Sequence, residues 1–118
     1  MKPVTLAVVF GARSFFPAEP VLTARAEVLG LLKAMQIDYV ALDEHSTRLG
    51  AVETWEETKK CAALFQAERE RIDGILVVLP VFGPERAIAD VIKLSGLRVP
   101  VLVQAYPDSL EKLDVANR

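Results

Sequence analysis

The chain has 118 residues, of which 52% are hydrophobic and 25% charged. That composition excludes a disordered chain and fits a single domain with a core of its own. Fourteen Lys and Arg stand against 16 Asp and Glu, a net charge of −2. No basic excess exists to displace counterions from a nucleic acid, so none is expected as a partner.

Residues 4–10 (VTLAVVF) are short, almost wholly apolar and β-rich, as in a strand buried on both faces. The next stretch, 11–14, ends the apolar run with a glycine and Arg13. No signal-peptide core forms there, and no run reaches a membrane span, so a cytoplasmic protein without a membrane partner is expected. Residues 11–20 (GARSFFPAEP) read as a loop. Residues 21–35 carry apolar side chains at 21, 22, 28, 29, 32 and 35, which is helical spacing, with Pro20 at a tolerated first-turn position.

Residues 37–42 (IDYVAL) form a second strand and 43–52 (DEHSTRLGAV) a polar loop holding His45, the sole histidine. Thr54 with Glu57 three residues on is a capping box. The helix it opens extends to about residue 71 and buries Thr58, Cys61, Ala62 and Phe65. Residues 75–79 (ILVVL) are the most apolar strand, and 80–84 (PVFGP) a turn-rich loop. Residues 85–95 form a third helix with Ile88, Val91 and Ile92 inward and Gly96 as its cap. Residues 99–105 (VPVLVQA) are a fourth strand. Residues 1–105 thus read as one α/β domain, and 106–118 as a polar tail or a linker to a following domain.

The order β-α-β-α-β-α-β specifies a three-layer α/β/α domain with a parallel sheet covered on both faces. With right-handed crossovers this is a doubly wound, flavodoxin- or Rossmann-like sheet, expected in the order 2-1-3-4. Ligands in such folds sit beyond the carboxyl ends of the strands. The chemistry of those ends excludes several functions. No G-x-G-x-x-G or G-x-x-x-x-G-K-[ST] occurs, so dinucleotide and P-loop nucleotide binding have no motif. The acidic residues, Asp and Lys of a phospho-receiver are replaced by Gly11-Ala12, Pro80 and Gln104-Ala105. Ser14 alone does not make a flavin-phosphate loop.

Several residues keep two readings. His45 beside Asp43 and Glu44 is a general base or metal ligand, or a solvated loop histidine; one histidine and adjacent acids are not a ligand set, so no metal site is expected. Cys61 is a reactive thiol or, as its helical register suggests, an inert buried one. The single cysteine also excludes an internal disulfide and a cysteine-rich zinc site. The acidic residues Glu53, Glu56 and Glu57 read as a solvated helix face. Trp55 either stacks on a sugar or plugs an apolar seam. Arg13, just past a strand's carboxyl end, is a fixed guanidinium for hydroxyls or carboxylates, or a surface arginine. Val81 and Phe82 suggest a pocket lip or a subunit contact. Topology puts Arg13, Phe82 and Gln104 at one sheet edge: donors, an apolar wall and an amide pair.

The stretch PVFGPERAIADVIKLSGLRVPVLVQA, residues 80–105, resembles the N-terminal domain of the L-fucose/L-arabinose isomerase superfamily. Phe82, Pro84, Pro100, Leu102 and Gln104 match the arabinose-isomerase pattern, and the tail 113–118 resembles the stretch that leads into a middle domain. Gly83 in place of Ser, and Tyr106-Pro107-Asp108 after Gln104, point to a fucose-isomerase-like member. The resemblance implies aldose–ketose isomerisation with Mn²⁺, whose ligands lie in later domains. It implies that this domain lines the substrate site and makes homo-oligomer contacts without being catalytic alone. It also implies a sugar-contacting role for the loop after the first strand, carried here by Arg13. The alternative is a free-standing, flavodoxin-like domain that binds a sugar or small metabolite.

Overall fold

A computed structural model describes residues 4–13, 17–79 and 85–105. Among these, the chain runs β1 (Thr5–Gly11), α1 (Ala18–Ala34), β2 (Asp38–Ala41), β3 (Ala51–Val52), α2 (Trp55–Ala67), β4 (Gly74–Leu79), α3 (Glu85–Ser95) and β5 (Val101–Ala105). One turn of 3-10 helix, Arg48–Gly50, precedes β3. All strand pairs are parallel. The expected α/β class and parallel sheet are present. The tail 106–118 and the loop 80–84 lie outside the described residues.

The expected order 2-1-3-4 needs correction: the sheet runs β2-β1-β4-β5, with β3 also beside β1. The difference is β3, which lies in a segment expected to be a polar loop. Its cause is the unequal length of β1 and β2. The pairing of β2 ends at Val8↔Ala41, leaving Phe10 and Gly11 with an open flank. Ala51 and Val52 take that flank in the register Phe10↔Ala51 and Gly11↔Val52. This pairs backbone groups that would otherwise stay open in the core. Ala51 and Val52 are consequently buried, at 3% and 0% exposure.

Strand alternation divides the core into two layers. Ala7 and Val9 of β1 face Cys61 and Phe65 of α2 and Ala87, Ile88 and Val91 of α3. Val8 and Phe10 face Val21, Val28 and Leu32 of α1, together with Leu76 and Val78 of β4. β1 and β4 lie between the layers and are buried along almost their whole length. The inward face expected for α2 is the one observed: Thr58, Cys61, Ala62 and Phe65. That helix ends at Ala67 rather than near residue 71, because Glu68-Arg69-Glu70-Arg71 offers no apolar side chain to continue its buried stripe.

Three expectations of burial fail. Leu22 and Met35 of the first helical segment are exposed, since α1 turns Val21, Ala24, Val28 and Leu32 to the sheet. β5 is exposed at all five residues, although it has the composition of a doubly covered strand. Val101, Leu102 and Val103 retain 41%, 58% and 63% of their surface. β5 is the edge strand beyond β4, and α1 packs over β1, β2 and β4 instead.

The two layers predict a sharp contrast in stability. Phe65→Ala empties a fully buried site between β1, β4 and α2 and should cost about 3–5 kcal/mol in urea unfolding. Leu102→Ser, on the exposed strand, should stay within about 0.5 kcal/mol of the parent. Comparable losses from the two variants would contradict the observed burial.

Candidate functional site

Three features of the chain converge at the carboxyl edge of the sheet. β1 delivers Ala12 and Arg13; Ala12 N–H donates to the Val52 carbonyl at 3.4 Å, so the chain stays against β3 as it leaves the sheet. Gly11 lets this exit pass close to α3: a Cβ there would lie 3.1 Å from Ile88 Cδ1 and from Leu79 Cδ2. β3 delivers Glu53, Thr54 and Trp55, and α3 begins at Glu85. Between them lies a cleft of about 590 Å³ lined by Arg13, Glu53, Trp55, Thr58, Arg86, Ala87 and Asp90.

The α2 entrance is held by a reciprocal set of hydrogen bonds. The Thr54 hydroxyl accepts from Glu57 N–H at 3.2 Å. Glu57 Oε1 accepts from the N–H groups of Glu53 at 2.9 Å and Thr54 at 3.0 Å. The capping box expected at these residues is therefore present and extends one residue upstream. It fixes the backbone on either side of Trp55. Of the two readings of that tryptophan, seam-filling does not describe it: Trp55 is 54% exposed at the cleft. Its ring has Lys59 Nζ 5.9 Å from the centroid, and Lys59 is itself paired with Glu56 at 3.2 Å.

On the other side of the sheet, Arg25 ties α1 to the segment before β3. Its Nη2 donates to the Leu42 carbonyl at 2.7 Å, and its guanidinium lies 5.3 Å from the Phe10 ring centroid. Gly50, at φ +68°, makes room for it: a Cβ there would lie 2.5 Å from Arg25 Nη1.

Of the three residues expected to touch ligand, Arg13 is half-buried in the cleft wall. Gln104 is exposed on β5 opposite Val78 and is not a lining residue. Phe82 lies outside the described residues. Sequence reasoning misses Arg86 and Asp90; their only signal is the i, i+4 spacing at the start of the helix that follows the loop 80–84. His45 is exposed, with Nε2 3.6 Å from Glu44. Among the described residues no three His, Cys, Asp or Glu side chains group as metal ligands. A second depression, about 630 Å³, is formed entirely by residues 66–71 at the far end of α2. One consecutive run away from the strand ends is a poor candidate beside a cleft built from three segments.

The parallel sheet with helices packed on both faces defines an α/β domain. A family model for the N-terminal domain of fucose/sulfoquinovose isomerase matches residues 7–118, and the chain belongs to that family. Comparisons with curated proteins and with solved structures gave no match. No helix among the described residues is long and apolar enough to cross a membrane.

Cys61 is 1% exposed, and burial pushes its thiol from 9.0 up to about 12. The unfolded thiol ionises first as pH rises, so this group's contribution to stability is complete below pH 9.0 and is lost as pH climbs towards about 12. The loss should approach about 1.4 kcal/mol per pH unit within that window. Urea unfolding of the parent and of Cys61→Ala at about pH 7 and about pH 10 isolates it. The parent should lose more stability over the interval. Equal losses would show that the thiol is not shielded.

Proposed function

We propose that this chain is the substrate-lining and subunit-contacting N-terminal domain of an L-fucose-isomerase-like enzyme that interconverts an aldose and a ketose, and that it is not catalytic alone. The observation that carries the reading is the cleft, which brings Arg13 together with Trp55, Glu53, Arg86 and Asp90 at the carboxyl edge. A sugar presents a C–H face and a rim of hydroxyls. The exposed face of Trp55 suits the first. Arginine donors and carboxylate acceptors suit the second.

This domain's part is to bind and orient the sugar. The proton transfer between adjacent carbons, and the divalent cation that assists it, belong to residues outside this chain. Phe82 and Gln104 are assigned an apolar wall and an amide contact. Gln104, on the edge strand, takes that role only where the assembled enzyme brings a neighbour against β5. Sugar binding by this chain alone should be weak, about millimolar, because one wall of a site forfeits enclosure.

In the isomerase that carries this domain, Arg13→Ala should raise KM or lower kcat by about tenfold or more while changing stability by less than about 1 kcal/mol. Unaltered kinetics with a lowered melting temperature would make Arg13 structural and remove the main support for sugar lining.

The subunit-contact part of the reading is supported by β5, an uncharged edge strand whose valines and leucine are exposed. Light scattering on the parent chain should show concentration-dependent self-association, and Val103→Lys should weaken it at least about tenfold by placing a charge on the edge. A monomer at every concentration, or an unaffected variant, would remove β5 as the contact.

A further inference from the structure

We propose that β5 pairs antiparallel with β5 of a second copy about a two-fold axis at Val103, joining two sheets into one; the inference rests on the subunit-contact reading above and gives that contact its geometry. Among the described residues β5 ends the sheet on one side. Its inner edge is already engaged: Ile75 N–H donates to the Pro100 carbonyl at 2.9 Å, in the register Ile75↔Val101. The N–H and C=O of one strand residue point the same way, and that direction alternates along the strand. Residues 100, 102 and 104 therefore turn these groups to β4, and Val101, Val103 and Ala105 turn theirs outward. In an antiparallel ladder every second residue exchanges two bonds with the one opposite. Centred on Val103, the ladder sets Val103 against Val103 and Val101 against Ala105. Every outward group then finds a partner, in about six hydrogen bonds. A parallel pairing of β5 with itself needs a one-residue stagger, which breaks the two-fold symmetry.

The side chains fit that register. Pairing with β4 places Val101, Val103 and Ala105 on the sheet face of Ile75, Val77 and Leu79. Helices α2 and α3 cover that face on β4 and leave it bare on β5. Across the axis small apolar side chains meet, and no like charges are opposed. The strand also lacks the devices that keep an edge unpaired: residues 101–105 (VLVQA) contain no charge, proline or glycine. By contrast β2, at the other edge, is four residues long and opens with Asp38. The flanking sequence confines the ladder to this window. Pro107, next in the outward alternation, lacks the N–H needed to extend it. Arg98 and Asp108 are equally distant from Val103 along the chain, so antiparallel copies set opposite charges level with each other. The joined sheet runs β2-β1-β4-β5-β5-β4-β1-β2, with the two carboxyl edges at opposite ends. Each cleft then stays open to a further domain.

Single cysteines read the register through disulfide formation. Paired positions in such a ladder lie about 5.5 Å apart at Cα, inside the span of about 4.4–6.8 Å that a disulfide bridges. Cys61 is buried and does not compete. The 118-residue chain is oxidised mildly as Val103→Cys, as Val101→Cys, and as an equimolar mixture of Val101→Cys with Ala105→Cys. Val103→Cys should link to itself at least about tenfold faster than Val101→Cys, whose two copies lie about 14 Å apart along the ladder. The mixture should give the mixed dimer in excess of either homodimer, and urea should abolish both preferences. Comparable rates at 101 and 103, or no excess of mixed dimer, in a chain that light scattering shows to self-associate overturns the antiparallel register and leaves β5 as a subunit contact. A monomer at every concentration overturns the subunit-contact reading and this inference with it. Slow hydrogen exchange at Val101, Val103 and Ala105 in such a monomer would assign the edge to residues 106–118 of the same chain.

Discussion

The carboxyl edge of this domain is organised by the length of β1. That strand is buried on both faces and pairs with three others: β2 at its start, β4 along most of its length, and β3 at its end. A strand buried on both sides cannot end with open backbone groups beside the core, since each would be desolvated without a partner. Two residues, Ala51 and Val52, meet that demand. In doing so they fix the point from which Glu53, Thr54 and Trp55 emerge. The position of the tryptophan is thus a consequence of strand pairing rather than of its own packing.

The entrance to α2 is held by polar contacts instead of apolar ones. Glu57 braces Glu53 and Thr54 through their backbone N–H groups, and Thr54 returns the bond to Glu57 N–H. Across the sheet, Arg25 holds the Leu42 carbonyl and stacks near Phe10, with Gly50 leaving space for its guanidinium. The segment between β2 and α2 is therefore pinned near both ends. This matters because a ring that is half-exposed gains little positional order from its own burial. A stacking platform needs that order from the backbone beneath it.

The three long helices and the longer strands are legible in the sequence because uninterrupted apolar runs and 3.6-residue spacing are strong signals over such lengths. β3 is not, because two residues carry no period, and the need for them arises from a partner some forty positions earlier in the chain. The exposure of β5 is hidden for a related reason. Val-Leu-Val reads the same in the middle of a sheet as at its edge, and only the arrangement of strands tells the two apart. Topology singles out Arg13, since the end of a central strand is where ligands collect. Arg86 and Asp90 read as an ordinary solvated pair on α3. They acquire meaning only when that helix's first two turns are set beside the β1 exit and the start of α2.

The openness of the cleft bears on what such a domain can do. Its polar groups come from one β1 exit and two helix entrances, and both Trp55 and Arg86 keep an exposed surface. Small-molecule sites that work alone bury most of their ligand between opposing walls. Here one wall has charged groups of both signs and an aromatic face, and the two adjoining segments in sequence are rich in Phe, Pro and Val. Donors, acceptors and an aromatic face can orient a ring of hydroxyls, but they supply no converging base and electrophile for moving a proton between carbons. An orienting wall gains catalytic value when a second surface carrying those groups closes over it. That division is the one the proposed reading requires, with recognition in this domain and bond-making outside it.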